Sequence, residues 1–256
     1  MPAHDWNASS YDAISIPHRE WGAGVLERLE LVGDETVLDA GAGTGRITEM
    51  LLARLPRGRV IAVDSSPAMT ERARERLPRD RATVICADLL ELELPEPVDA
   101  IISTATFHWI ADHQALFARM RALLRPDGQF VAQCGGQGNL ANVRAAAERV
   151  VAREPYAAHL AAVPAPWNFA SPLCTRGRLE RAGFQVSACW LVAAPSTPPA
   201  PHEFLGTVVF HAHLRHLPAE LRDPFLDAVL AELDEPPVLD YVRLNWDASA
   251  RERTNA

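Results

Sequence analysis

The chain has 256 residues, enough for one large α/β domain with a sizeable core and too few for two full ones. It is acidic, with a formal net charge of −8, and its 25 basic residues are all arginines that form no basic stripe, which argues against nucleic acid as the main partner. There is no charged-then-apolar leader, no apolar run long enough for a bilayer and no CxxC or zinc spacing among Cys86, Cys134, Cys174 and Cys189. These features predict a cytoplasmic protein, monomer or homodimer, with no membrane partner, no metal site and reduced, mostly buried thiols.

In chain order, an irregular start precedes a predicted helix over 17–31, with Trp21, Val25 and Leu29 at helical spacing. The stretch Thr36 to Arg46, sequence TVLDAGAGTGR, reads as strand, tight turn and the start of a helix over 47–55. Gly41, Gly43 and Gly45 let the backbone approach a ligand with no Cβ in the way. A dinucleotide fingerprint would put a glycine where Arg46 stands, and Asp39 at the strand end would repel a pyrophosphate but welcome an ammonium group. Both features oppose an NAD-dependent oxidoreductase.

Further strands are predicted over 60–64, ending in Asp64, over 84–89, containing Asp88, and over 98–103, an almost continuous apolar run suited to burial on both faces. Ser65-Ser66-Pro67 is itself a helix-start signal, so Asp64 is either a ligand-binding acid or a helix cap. A loop carries Thr104, His108 and Trp109, a helix covers 112–124, and Arg125-Pro126-Asp127-Gly128 turns into a strand over 129–134. Beyond a glycine-rich loop at 135–139 come a helix over 140–153, an irregular proline- and tryptophan-containing stretch over 155–172 and a helix over 175–182. A strand over 184–193 follows, then helices over 201–216 and 218–233, a strand over 238–246 and a polar tail.

Three strand-terminal acids in this order, one within a glycine loop, resemble the class I S-adenosylmethionine-dependent methyltransferases. Closer likeness is to the trans-aconitate methyltransferases and their relatives. It rests on Trp6-Asn7, on Val63 to Met69, on His108-Trp109-Ile110-Ala111-Asp112-His113 and on Leu116-Phe117. The resemblance implies one domain over 1–256: a lid over 1–34, a cofactor half over 35–135, and a C-terminal half over 136–256 with cap segments near 155–171 and 196–236. It implies a doubly wound, mostly parallel seven-stranded sheet of order 3-2-1-4-5-7-6, strand seven antiparallel, and S-adenosyl-L-methionine as cofactor. The cofactor residues it implies are Asp39, Gly41, Ala42, Gly43, Gly45, Asp64, Ser65, Met69, Ala87, Asp88, Leu89, Thr104 and Tyr11. Asp64 would meet the ribose and Asp88 the adenine. Trp6 and Tyr11 either belong to the lid or pack against the domain edge.

A sulfonium cofactor brings its own electrophile, so the protein must mainly align a small-molecule acceptor. A carboxylate needs no base, whereas a hydroxyl or amine does, and His108 is the candidate base or hydrogen-bond donor, with a structural role as the alternative. Trp6, His108, Trp109, Trp167 and His211 are the candidate acceptor residues. His211, His213 and His216 lack the partners and spacing of a metal site. Phe210-His211-Ala212 stands where the resembled cap carries an arginine, which favours a partly apolar acceptor over a tricarboxylate. A natural-product C- or N-methyltransferase and a non-catalytic cofactor-binding protein are the remaining alternatives.

Overall fold

The computed structural model describes residues 16–251, with side chains from Trp21 onward. The chain runs α1 (Ile16–Leu26), β1 (Thr36–Ala40), α2 (Arg46–Arg54), β2 (Arg59–Asp64), α3 (Pro67–Arg76), β3 (Ala82–Cys86) and β4 (Val98–Thr104). A 3₁₀ turn (Phe107–Trp109), α4 (His113–Leu123), β5 (Leu124–Gly135), α5 (Ala141–Val151), α6 (Ala157–Leu160), α7 (Pro172–Arg181) and β6 (Phe184–Ala193) follow. The chain ends with α8 (Pro201–Phe204), a π-helical turn (Leu205–Val209), α9 (His211–Leu214), α10 (Ala219–Leu230) and β7 (Val242–Ala250).

The seven strands form one sheet in the order β3-β2-β1-β4-β5-β7-β6, the order implied by the sequence, with β7 antiparallel to both its neighbours. Strands β1, β2 and β4 alternate little in polarity because both faces are covered, as parallel sheets require. On one face Leu38, Ile101, Phe130 and Trp246 pack with Phe107, Phe117 and Phe184. On the other, Val37, Val60 and Ile102 meet Val25 of α1 and Leu51 of α2. A third core lies off the sheet, where Val143 of α5, Phe204, Phe210 and Phe225 build a helical cap.

Four expectations need correction. The last strand spans Val242–Ala250 instead of 238–246, because the small Ala248 and Ala250 fill the core beside Phe184. Residues before it run irregularly, with Leu239 bridged to Ser196. The long helix over 201–216 is broken into three pieces, a π turn with Gly206 inside it and a bend at Phe210 separating α8 from α9. The turn at 125–128 is a bulge within β5: Asp127 has φ +60°, and the register with β4 jumps between Val98 and Ala100. Of the thiols, Cys134 is buried, Cys189 is half-buried, and Cys86 and Cys174 are exposed.

The strand order reverses between β1 and β4, and this switch point opens the crevice that holds the site. Among the described residues no helix is long and apolar enough to cross a membrane.

Candidate active site

β1 delivers Gly41 to the crevice, and the N–H groups of Gly41 and Ala42 both donate to the Val63 carbonyl, at 2.8 and 2.9 Å. Gly41 has φ +83°, and a Cβ there would collide with the Thr106 side chain, whose own Cβ would lie 2.5 Å away. Gly43 has φ +55° and nothing within 4 Å of the position a Cβ would take, so this turn faces open space. Gly45 instead caps the N-terminus of α2.

Two carboxylates flank the loop. Asp39 is wholly buried; one oxygen accepts the Thr48 hydroxyl at 2.6 Å and Oδ1 has no partner among the described residues. Burial pushes its carboxyl up to about 6, with the nearby Asp64 charge adding to the effect. Asp64 accepts from the Ser66 and Gly43 N–H groups, each at 2.9 Å, while burial pulls its carboxyl upward. The helix cap is Ser66, whose Oγ accepts from Met69 N–H at 3.3 Å. Asp64 therefore does not cap α3. Asp88 is exposed and accepts from Leu90 N–H at 2.9 Å.

Both loops open onto one cavity of about 410 Å³. Gly41, Gly43, Asp64, Ser65, Met69, Ala87, Asp88, Leu89 and Thr104 line its first half, whereas Asp39, Ala42 and Gly45 lie outside the lining. Tyr11 and Trp6 fall outside the described residues.

The second half is lined by His108, Trp109, Trp167, Phe169, Leu140, Val208 and Val209, with Asn139, Tyr241 and Arg243. His108 is buried in the 3₁₀ turn; its ring lies 5.0 Å from Trp109 and 5.7 Å from Phe169, and its Nδ1 accepts the Gly135 N–H at 3.3 Å. Trp167 stacks on Phe169 at 5.8 Å. His211 does not line the cavity; it stands behind Trp109, at 5.3 Å. His213 packs against Trp167, and burial with the neighbouring His216 pushes it down to about 4. Among the described residues no group of three or more His, Cys, Asp or Glu is placed to hold a metal ion.

Arg243 is 2 % exposed. Its Nε donates to Gln133 Oε1 at 3.3 Å, and its guanidinium lies 4.6 Å over the Trp21 ring and 5.8 Å from that of Tyr241. Sequence reasoning missed Arg243, Asn139 and the valine pair. Arg243 alternates with Asn245, Asp247 and Ser249 along β7, a pattern that in sequence reads as a solvent-facing polar edge and gives no signal of a buried position. For Val208 and Val209 there was no local signal, because only the π turn brings two consecutive valines to one wall.

A methyltransferase domain model matches residues 37–128. A trans-aconitate 2-methyltransferase from Acidovorax sp. is 27% identical over 241 residues, 91% of this chain and 90% of that protein. One from Methylobacterium nodulans is 32% identical over 193 residues, 75% of this chain and 69% of that protein. The chain belongs to the class I S-adenosylmethionine-dependent methyltransferases. The fold is also that of Haemonchus contortus phosphoethanolamine N-methyltransferase 2, solved with S-adenosylhomocysteine. That match has a TM-score of 0.59 and 19% identity, and covers 91% of this chain and 52% of that one.

The cofactor of this methyltransferase is S-adenosyl-L-methionine, and the residues present fit it. The Gly43 turn leaves space where a side chain would stand, Asp39 carries a buried carboxylate oxygen without a described partner, and Asp64 lines the same crevice. Anionic groups suit a cofactor that carries an ammonium and a sulfonium.

Proposed function

We propose that this methyltransferase esterifies a carboxylate of a small, partly apolar acid. The observation that carries the reading is the hydrogen bond from Gly135 N–H to His108 Nδ1. It commits the imidazole lone pair to the backbone, so the ring proton sits on Nε2 and His108 can donate but has no lone pair for a substrate proton. A hydroxyl, amine or carbon acid must lose a proton, whereas a carboxylate is ionised near neutral pH and needs no base. The acids on the cavity wall, Asp64, Asp88 and Asp112, are engaged by backbone N–H groups.

S-adenosyl-L-methionine supplies a methyl group already activated on sulfur. In this reading Asp39 provides negative charge for the ammonium, Asp64 accepts from the ribose and Asp88 stands at the adenine. Trp109, Trp167, Phe169, Val208 and Val209 exclude water and align the acceptor, which can contribute about 7–11 kcal/mol. The aromatic wall supports an acid with an apolar body over a tricarboxylate, and the similarity to trans-aconitate 2-methyltransferases makes trans-aconitate a necessary comparison.

Label transfer from methyl-labelled cofactor to a panel of acids, alcohols and amines tests this. A methyl ester releases its label as methanol in mild alkali. Alkali-stable label, on oxygen, nitrogen or carbon, would overturn the carboxylate reading.

A further inference from the structure

Two unusual backbone segments build the aliphatic part of the acceptor wall. Leu140, between β5 and α5, has φ +53° and ψ +38°, the left-handed region. A bulky residue is uncommon there, and leucine has no polar side-chain atom to bond locally in return. Its backbone is fixed on both sides: the N–H donates to the Asp240 carbonyl at 3.1 Å, and the carbonyl accepts the Arg144 N–H at 2.9 Å. Glycine would take this geometry without strain. What leucine adds is a side chain that lines the cavity and is only 4 % exposed.

Val208 and Val209 belong to the same hydrophobic cluster and also line the cavity. They come from the π turn, which Phe210 N–H closes by donating to the Leu205 carbonyl at 2.7 Å. A Cβ on Gly206 within that turn would lie 3.0 Å from Leu226 Cδ1 of α10, so the turn is pressed against the cap and the valines have no room to recede. Their branched side chains are also stiff at χ1. The neighbouring rings are engaged with each other: Trp167 and Phe169 lie 7° from parallel, and Phe169 also stacks on His108 at 30°. Those contacts occupy ring faces that an aromatic acceptor would need.

We infer that Leu140, Val208 and Val209 are specificity-determining residues that end the acceptor pocket and gauge chain length, so the preferred acceptors are aliphatic acids whose chain runs from the reacting carboxylate to this wall. The gauge works by size and needs neither charge nor proton transfer. In the reaction a carboxylate lone pair forms the O–CH₃ bond as the S–CH₃ bond breaks, its electron pair staying on sulfur. The choice of acids rests on the carboxylate reading above.

The test is kcat/KM along a ladder of straight-chain monocarboxylic acids one methylene apart. For the parent it should rise to an optimum and then fall roughly 10-fold or more at the next methylene, the scale on which an apolar pocket reads one methylene. Val209→Ala and Leu140→Gly should each move the optimum to longer chains, and Val209→Ile should move it to shorter ones. Val229→Ala is the control: Val229 is fully buried in the same cap core but does not line the cavity, so Tm should fall while the optimum stays in place. The position of the optimum is internal to each variant and independent of how much protein is folded. If a truncated variant fails to fold, the parent ladder and Val209→Ile still decide. A parent with no fall along the ladder, wall variants that keep the parental optimum, or a control that shifts it would overturn the gauge. A parent that esterifies no acid overturns the carboxylate reading instead, and matching ladders of primary alcohols and amines then test the gauge.

Discussion

The Thr106 hydroxyl lies 3.1 Å from the Gly41 carbonyl and 3.0 Å from that of Thr104, a single proton shared between the loop after β1 and the end of β4 across the switch point of the sheet. This bond works only because residue 41 has no side chain, and it places the turn at Gly43 beside the carboxylate of Asp64.

Gly41→Ala should damage cofactor binding through this relationship. At φ +83° the new methyl is strained and meets Thr106, and overpacking of this kind costs about 1–3 kcal/mol. Isothermal titration with S-adenosylhomocysteine should show at least a severalfold loss of affinity. Parental affinity would mean that the two loops can separate without consequence.

Asp64 and Ser66 separate two roles that the sequence leaves open. Asp64→Ala should weaken cofactor binding by about 1–3 kcal/mol, the scale of a hydrogen bond to a charged group. Ser66→Ala removes the cap of α3 and should cost about 1 kcal/mol of stability with cofactor affinity near parental. Thermal melts and titrations on both variants check this; a reversed pattern would refute the ribose assignment.

Asp39 makes stability depend on pH. Its carboxyl, at about 6 in the folded chain against an ordinary 3.8, binds its proton more tightly folded than unfolded. Its contribution is thus fully present below about 3.8 and is lost as pH rises through about 6, roughly 3 kcal/mol at most. Between pH 5 and 7.5 the ligand-free protein should lose about 1–1.5 kcal/mol from this source, and Asp39→Asn should flatten that part of the curve. If the ammonium lies against Asp39, the cofactor favours the ionised form, and the thermal shift it causes should grow with pH through the same window. Identical pH slopes for the parent and Asp39→Asn would remove Asp39 as the cause.

Trp167→Ala should raise the acceptor KM about tenfold or more, since the indole lines the cavity and stacks on Phe169, while cofactor affinity stays near parental. His211→Ala should have a smaller effect of the same kind, because His211 reaches the cavity only through Trp109. Steady-state kinetics, cofactor titration and melting on the same preparations distinguish this from plain loss of stability, in which activity and Tm would fall together.

The local sequence determined the cofactor half. Doubly buried strands read as continuous apolar runs, glycines mark the turn, and acids stand at the ends of β1 and β2, so most of 36–104 is legible from nearest-neighbour chemistry. The third strand is the exception, lying at Ala82–Cys86 and leaving Asp88 in the loop beyond it instead of in a strand over 84–89. Even β6 falls over 184–193 as expected, since Gly183 opens it and its run is apolar. Tertiary structure decided the other half of the cavity wall. Alanines at 248 and 250 carry little strand signal, and only pairing with β5 and β6 sets the β7 register that turns Arg243 towards Gly135 and Trp21. The break at 205–210 likewise follows from packing of the cap core, not from any helix-stopping residue beyond Gly206. Strand and helix periods are written in a few consecutive residues, but which face of a late strand meets a cavity depends on partners more than a hundred residues away.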